Sequence, residues 1–287
     1  MIAILKHELR NYFHSLTAYV FGAFLLAVVG FAAVLCNIQA AFSNFEFVFY
    51  FSSLIFVIIV PILTMRTIAE ERKQKTDQLL YSLPITTTQI VLGKYLALLV
   101  VYLIPLCIIS FYPLIFSLFG DVYLLTSYGS IAAFFLMGAA FLAMGIFISS
   151  LTDNQGFAAG ITIALILFNY CSVSLSEYTS STMFGSLLTF YALAIVVGVV
   201  VRFLTKNDAL AYGVSIVLLL GIAILCFVDS SLFEGLLPAM TETLSLLERF
   251  NSFVNGVFDM TTIVYYLSVI VFFLFLSVQS LEKRRYN

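Results

Sequence analysis

The densest group of charged side chains in this 287-residue sequence lies between Arg66 and Pro84. It mixes acids with bases, namely Arg66, Glu70, Glu71, Arg72, Lys73, Lys75 and Asp77. Basic residues alone would suit a passive anchor beside a membrane, but that role does not explain three carboxylates among them. Charges of both signs set the register and the choice of partner at a protein interface. The stretch therefore predicts a surface that docks another protein.

Apolar residues within the same stretch predict a short amphipathic helix. Ala69, Leu79, Leu80 and Leu83 have helical spacing, and Pro84 would end the helix. Three threonines at 86–88 then offer N-caps for the next helix. We expect Glu70 and Glu71 to lie in water, so that reversing both charges costs about 1 kcal/mol or less.

The sequence offers little for catalysis. Glu70 and Glu71 faintly resemble the acidic motif of intramembrane CAAX-type proteases, whose chemistry also needs histidines on later helices. Both histidines, His7 and His14, lie in the first fifteen residues. We therefore predict no catalytic residue, and we expect that the chain is not an enzyme.

Cofactor and metal sites are not predicted either. The four cysteines lie far apart, in or beside apolar runs, at positions 36, 107, 171 and 226. The only Gly-Lys pair, Gly93-Lys94, is followed by Tyr95, so the chain lacks a P-loop for nucleotide phosphates. Any ATP and Mg²⁺ would have to be bound by another chain.

The composition requires lipid as the main solvent. The chain is 62% hydrophobic and only 10% charged, against about 25% charged in a soluble domain. Apolar runs long enough to cross a bilayer predict an all-α, polytopic bundle of about eight transmembrane helices. The predicted spans are Thr17–Ala41, Phe47–Met65, Ile90–Phe119, Ser127–Ser149, Phe157–Cys171, Gly185–Val201, Ala209–Val228 and Thr262–Ser280. Pro105 and Pro113 predict a kink or break in the third span.

The distribution of Lys and Arg predicts the orientation. With both termini in the cytoplasm, 12 of the 13 basic residues fall on the cytoplasmic side, and only Arg249 falls outside. The net charge of −2 provides no basic surface for nucleic acid. We therefore expect membrane lipid, and not nucleic acid, as a partner.

The N-terminal segment, residues 1–16, predicts an amphipathic helix on the inner membrane surface rather than a signal peptide. Six apolar or aromatic residues share one helical face, at Ile2, Leu5, Leu9, Tyr12, Phe13 and Leu16. Lys6, His7, Arg10 and His14 lie on the other face. A solvated polar face is a better explanation for the two histidines than a metal site.

Several segments together resemble the permease of a type 2 ATP-binding-cassette (ABC) transporter. These are LTMRTIAEERKQKTDQLLYSLP at 63–84, IVLGKYLA at 90–97, and ILKHELRNYFHSLTAYV at 4–20, which resembles the family's elbow helix. GIFISSLTDNQ at 145–155 and the tail from Phe250 to LEKRR at 281–285 are similar to the gliding-motility subgroup. The family usually has glycine before the threonine that corresponds to Thr76, whereas this chain has Lys75.

The resemblance implies a function for the charged loop. In the family, this loop carries the coupling helix, which sits in a groove of a separate ATPase subunit. The implied coupling region is the loop at 66–88, with Arg66, Glu70, Glu71, Arg72, Thr76, Asp77, Leu80 and Pro84 as its candidate residues. Lys6, His7 and Arg10 would belong to the elbow helix. The implied assembly contains an ABC ATPase and a second permease copy or related permease, in a bacterial plasma membrane.

The family usually has six spans, so the hairpin at 185–228 is predicted to be an addition, which could bind an accessory subunit. The segment at 229–260 would be extracellular; Leu244, Leu247, Phe250 and Val254 predict an interfacial helix there, either resting on the outer leaflet or acting as a gate or dock. Two other functions stay open. An ion-coupled transporter would need ionisable residues at mid-membrane, which the predicted spans almost lack, and a structural membrane anchor would need no ATPase.

Overall fold

The computed structural model describes residues 1–40, 44–76, 85–178, 208–228 and 243–285, together with isolated positions at 185–195 and 239–240. The chain divides into two compact units, Met1–Tyr170 with Leu246–Asn287, and Cys171–Ser245. In the described part of the second unit, one long helix, Asp208–Val228, coincides with the predicted span Ala209–Val228. The predicted span Gly185–Val201 and the turn after it lie almost wholly outside the described residues.

The described residues form α-helices with short 3₁₀ and π segments. In chain order the α-helices are α1 Ile2–His14, α2 Thr17–Ala33, α3 Glu46–Ser52, α4 Phe56–Thr64, α5 Ala69–Lys73, α6 Thr87–Ile109, α7 Tyr112–Ser117, α8 Leu124–Leu151, α9 Gln155–Tyr178, α10 Asp208–Val228, α11 Leu246–Val254 and α12 Met260–Arg285. A π-helix at Val34–Gln39 extends α2, and a 3₁₀ turn at Ser53–Ile55 joins α3 to α4. The prediction of a polytopic helical membrane protein is confirmed.

Among the residues that the structure describes, six helices are long and apolar enough to cross a membrane, and they correspond to six of the eight predicted spans. They run over Thr17–Gln39, Glu46–Lys73, Thr87–Ser117, Leu124–Leu151, Gln155–Ser172 and Met260–Arg285. The predicted interruption of the third span is present, since α6 ends at Ile109 and α7 begins at Tyr112, with Pro113 in its first turn. Thr86 caps α6, and its side chain accepts a hydrogen bond from the Gln89 N–H at 3.3 Å.

Helix α8 is the centre of the first unit, and small residues allow its neighbours to approach closely. A Cβ added at Gly138 would lie less than 3.0 Å from the Tyr102 ring of α6, and one at Gly145 would overlap the Thr64 side chain of α4. Phe134 of α8 packs against Phe56, with ring centroids 4.7 Å apart. Close contacts with α8 therefore help to fix both α4 and α6.

Helix α11 packs against the bundle with the face that the sequence marks as interfacial. Leu246 and Phe250 are fully buried, and Leu247 and Val254 are buried too, while Leu244 is exposed. The Tyr266 hydroxyl donates to the Leu246 carbonyl at 2.8 Å. Protein, and not lipid, therefore covers most of this face. The extracellular position of 229–260 stays a prediction, and residues 229–238 lie outside the described part.

We predict that Gly138→Ala lowers the free energy of unfolding by about 1–3 kcal/mol, because the new methyl group overlaps the buried Tyr102 ring. Gly129→Ala on the same helix is the matched control, since a Cβ there meets no atom within 4 Å. Thermal unfolding of the two purified variants in detergent measures the difference. Equal midpoints would show that Gly138 is not needed for the close approach of α6.

Candidate functional site

A buried lysine joins three helical segments at one end of the bundle. The Lys94 side chain, in the second turn of α6, is only 1% exposed. Its Nζ lies 2.8 Å from Glu8 Oε1, 2.6 Å from Glu71 Oε1 and 2.9 Å from the Thr67 carbonyl oxygen. An ammonium group has three N–H donors, and each has an acceptor here. We call these four residues the Lys94 cluster.

The sequence of α1 and α6 explains how the helices come close enough to form the Lys94 cluster. Glu8 and Tyr12 are one turn apart on the buried face of α1. Gly93 lies beside Lys94, and a Cβ on it would come within 3.0 Å of Ile4 of α1. A larger residue at position 93 would therefore separate α1 from the cluster.

Tyr12 adds a second polar contact next to the Lys94 cluster. Its hydroxyl oxygen lies 3.5 Å from Thr67 Oγ1. Burial raises the pKa of the Tyr12 phenol to about 12, against a smaller opposing effect from the Thr67 hydrogen bond. The phenol therefore stays protonated, and α1 makes one ion pair, from Glu8 to Lys94, and one neutral contact, from Tyr12 to Thr67.

The charges of the cluster explain its rigidity. One cation faces two carboxylates, whose side chains are 11% and 24% exposed at Glu8 and Glu71. Removing one partner of a buried ion pair leaves an uncompensated charge, which typically costs about 3–5 kcal/mol. Helix α5 therefore cannot move away from α6 without a large energetic cost.

Ser149 of α8 holds the beginning of α5. Its hydroxyl oxygen accepts hydrogen bonds from the backbone N–H groups of Ile68, at 3.2 Å, and Ala69, at 3.1 Å. The first N–H groups of a helix have no partner within the helix, so the serine satisfies two of them. The start of α5 is fixed to α8 as well as to α6.

A network of arginines and one aspartate connects α5 to the end of α12. The Arg72 side chain is 2% exposed, and its Nη1 lies 3.9 Å from Asp153 Oδ1. Arg284 donates to the same oxygen at 2.7 Å and to the Leu151 carbonyl at 3.2 Å. The loop between α8 and α9 therefore joins the charged segment to the C-terminal tail.

The end of α5 forms a Schellman motif around a non-glycine residue. Lys75 has φ 57°, in the left-handed region. Its N–H donates to the Arg72 carbonyl at 3.0 Å, and the Thr76 N–H donates to the Glu71 carbonyl at 2.9 Å. This type of turn favours glycine at the left-handed position, and here Lys75 occupies that position.

A cleft of about 800 Å³ lies between α1 and residues 66–76. Its lining includes His7 and Asn11 on the α1 side and Arg66, Glu70 and Gln74 on the other. Arg66 is exposed, and Glu70 accepts a hydrogen bond from Gln74 at 3.3 Å. These polar groups can contact a partner, whereas the Lys94 cluster forms the floor of the cleft.

The structure divides the predicted coupling residues into two groups. Arg66 is exposed and Glu70 is half-buried, and both line the cleft. Glu71 and Arg72 instead make internal ion pairs, and the Thr76 hydroxyl donates to the Glu71 carbonyl at 3.2 Å. Asp77, Leu80 and Pro84 lie outside the described residues. In α1, Lys6, His7 and Arg10 are exposed.

One expectation about this segment was wrong. Glu71 does not lie in water with its neighbour Glu70, because it binds the buried Lys94 ammonium. Sequence reasoning also missed Glu8, Lys94, Ser149 and Asp153 as members of the site. A signal was present for Lys94, since a lone charge in the apolar run IVLGKYLA must find a partner. Its partners are 86 and 23 positions away in the sequence, so the pattern could not identify them.

Comparisons with known proteins bear on this segment. The sequence model of a family described as ABC-2 family transporter protein matches residues 37–175, just under half of the chain. This segment is similar to ABC-2 transporter permeases. With six helices long enough to cross a membrane, the match supports a multi-pass permease subunit of an ABC transporter. No curated protein and no solved structure matched the chain.

The match includes α5, α6 and the Asp153 loop, but it does not include α1 or α12. Among the described residues, no group of three or more His, Cys, Asp or Glu side chains is arranged to hold a metal ion. The contacts that the site shows are ion pairs and hydrogen bonds between helices.

We predict that Lys94→Met lowers the free energy of unfolding by about 3 kcal/mol, because Glu8 and Glu71 lose their buried cation. Thermal unfolding in detergent measures the effect, and Lys6→Met on the exposed face of α1 should change it by less than about 0.5 kcal/mol. Adding Glu8→Gln and Glu71→Gln to Lys94→Met should recover part of the loss. If Lys94→Met melts like Lys6→Met, the cluster does not hold this end together.

Lys75→Gly should raise the free energy of unfolding by about 1 kcal/mol, since a left-handed conformation strains a side chain but not glycine. Lys73→Gly, within α5, is the control and should lower it by a similar amount. The same melting experiment separates the two. Destabilisation by both glycines would contradict the left-handed conformation at Lys75.

Proposed function

We propose that the chain is the permease subunit of an ABC type 2 exporter, which couples ATP hydrolysis on a separate ATPase to work across the membrane. The observation that carries the proposal is the multiple attachment of α5. This short helix lies at the end of the second span. It is connected to α1 and α6 through Lys94 and to α8 through Ser149. The family match to residues 37–175 supplies the class of partner.

The contacts explain how movement could pass from a partner into the membrane. A force on α5 acts through ion pairs and backbone hydrogen bonds rather than through a loose loop. Since Glu71 and Thr67 bind Lys94 directly, displacement of this segment would shift α6 with it. The Asp153–Arg284 pair extends the same connection to α12. ATP and Mg²⁺ would bind to the partner, because this sequence has no P-loop.

The surface side chains define the contact with the ATPase. Arg66 and Glu70 line the cleft without a charged partner among the described contacts, whereas Glu71 and Arg72 make ion pairs inside the protein. We assign docking to the first pair and rigidity to the second. Asp77, Leu80 and Pro84 keep their proposed coupling role, and Lys6, His7 and Arg10 are proposed members of the elbow helix.

The proposed setting is a bacterial plasma membrane with both termini in the cytoplasm. The support is the charge distribution, which then places 12 of the 13 basic residues on the cytoplasmic side. The Lys94 cluster would lie at that side, within reach of a soluble ATPase. A second permease copy, membership of the gliding-motility subgroup and an accessory subunit for the added hairpin at 185–228 are part of the same proposal.

The ion-coupled alternative has less support. A proton or ion relay places ionisable side chains near mid-membrane. In the six described spans, the buried ionisable side chains are Glu46, Arg72 and Lys94, and each lies near an end of its span. Lys94 also has all three donors occupied, so it is a structural ion rather than a carrier.

The test is association with the ATPase encoded by a neighbouring gene, co-expressed and purified through a tag on the permease. Glu70→Lys should lower the copurifying ATPase about tenfold, the effect of about 1.4 kcal/mol at an exposed interface charge. Its melting temperature should stay close to that of the wild type, because Glu70 is paired only with Gln74 among the described contacts.

Lys6→Glu is the matched control, because it reverses an exposed charge on α1 outside the cleft lining. Glu71→Lys should instead lower the melting temperature, since it opposes Lys94. If the ATPase fails to copurify with the wild type, or if Glu70→Lys binds and stimulates it normally, the docking role is wrong.

A further inference from the structure

A groove between the first and second spans lies at the end of the bundle opposite the Lys94 cluster. Its volume is about 450 Å³, and every side chain that lines it is apolar. Ala32, Cys36 and Ala40 form a small-residue floor along the first span. Phe47 and Phe51, one turn apart on α3, form one wall. We call this feature the span 1–2 groove.

The π-helix at the end of α2 shapes the groove. Residues Val34–Gln39 are π-helical, and the Ala40 N–H donates to the Leu35 carbonyl, five residues earlier, at 3.0 Å. Such segments are rare and frequently occur at functional sites. The changed helical turn brings Cys36 and Ala40 to the side that faces Phe47 and Phe51.

The depth of the groove matches one half of a bilayer. At a rise of 1.5 Å per residue, Val28 lies about 16 Å from the start of the first span at Thr17, and Ala40 lies about 34 Å from it. The groove thus runs from the middle of the hydrocarbon layer, about 30 Å thick, to its far surface. It is therefore nearly parallel to the acyl chains of that leaflet.

The groove is continuous with the surface that faces lipid. Phe31 and Phe51 are more than half exposed, and the next exposed side chains on the same two spans are Phe24, Leu54 and Ile58. A transmembrane helix with its side chains is about 10–12 Å wide, so a groove of about 450 Å³ cannot contain one. A flexible hydrocarbon chain does fit, and it restores dispersion contacts that an empty groove would lose.

We propose that the span 1–2 groove binds one acyl chain of a membrane phospholipid. No charged side chain lines the groove, so recognition rests on the tail and not on the head group. The bound chain would fill the space beside the π-helix and fix the end of the first span against α3. The site depends on a membrane-spanning chain but not on the proposed ATPase.

The test uses the purified permease in phosphatidylcholine vesicles that contain a phospholipid with a diazirine on one acyl chain. After illumination, lipid adducts are mapped by peptide mass spectrometry. Adducts should concentrate within residues 28–51, compared with the equally exposed apolar face of α12 around Val264 and Val271. Ala40→Trp fills the open end of the groove and should reduce the adducts there about tenfold, as expected if two methylenes lose their buried contacts.

Val34→Trp is the matched control, because Val34 is exposed on the same π-helix but does not line the groove. Its adduct yield should equal that of the wild type. Ala32→Leu, which narrows the deep end, gives a second variant if Ala40→Trp is poorly folded by size-exclusion chromatography. Adducts spread evenly over all exposed apolar surfaces, fewer adducts at 28–51 than on α12, or equal yields from Ala40→Trp and Val34→Trp would each overturn the proposal.

Discussion

The end of the bundle that carries the charged segment depends on one buried ammonium group. Lys94 is enclosed, so its charge must be met by acceptors at fixed positions. The three acceptors come from α1, from Thr67 two residues before α5, and from α5 itself. An ammonium group has three N–H donors, and these three acceptors use all of them. The positions of the three segments around Lys94 are therefore fixed together. Gly93 is part of the same constraint, since it allows α1 to lie directly against α6.

The contacts around the Lys94 cluster extend this constraint across the bundle. Ser149 caps the start of α5, and Asp153 lies between Arg72 and Arg284. Segments that resemble one transporter family in the sequence, AEER, ISSLTDNQ and LEKRR, thus meet in space. Their charges are used mainly for one another. In the proposed function, Arg66 and Glu70 contact the partner, and the cluster transmits its movement to the bundle.

Different interactions stabilise the two ends of the first unit. At the Lys94 end, ion pairs and hydrogen bonds fix the helices, because charged groups that leave water need partners. At the opposite end, aromatic packing and close helix contacts predominate, as in the pair of Phe49 and Phe134 with ring centroids 4.9 Å apart. Helix α11 has a hydrogen bond and an aromatic contact to the bundle. The Tyr266 hydroxyl donates to the Leu246 carbonyl, and the Phe250 ring packs against the Phe134 ring.

The sequence by itself determined the features that depend on local composition. Apolar runs predicted six spans that the structure describes, Pro113 predicted the break between α6 and α7, and Thr86 predicted the cap of α6. These signals are local. The proline ring and the N-cap act within one or two helical turns, and hydrophobic length acts within one span. The mixture of charges between Arg66 and Asp77 predicts a partner surface, and this stays a prediction.

Tertiary structure alone decided which of those charges face outward. Glu70 and Glu71 are adjacent and chemically alike, yet only Glu71 faces Lys94. That difference depends on the rotation of α5 about its axis, which Ser149 and Lys94 set from other helices. Likewise, Lys75 takes the left-handed turn because the surrounding backbone fixes it, against its own preference. Long-range contacts of this kind leave no periodic pattern in a single sequence, because the partners of Lys94 are 23 and 86 positions away from it.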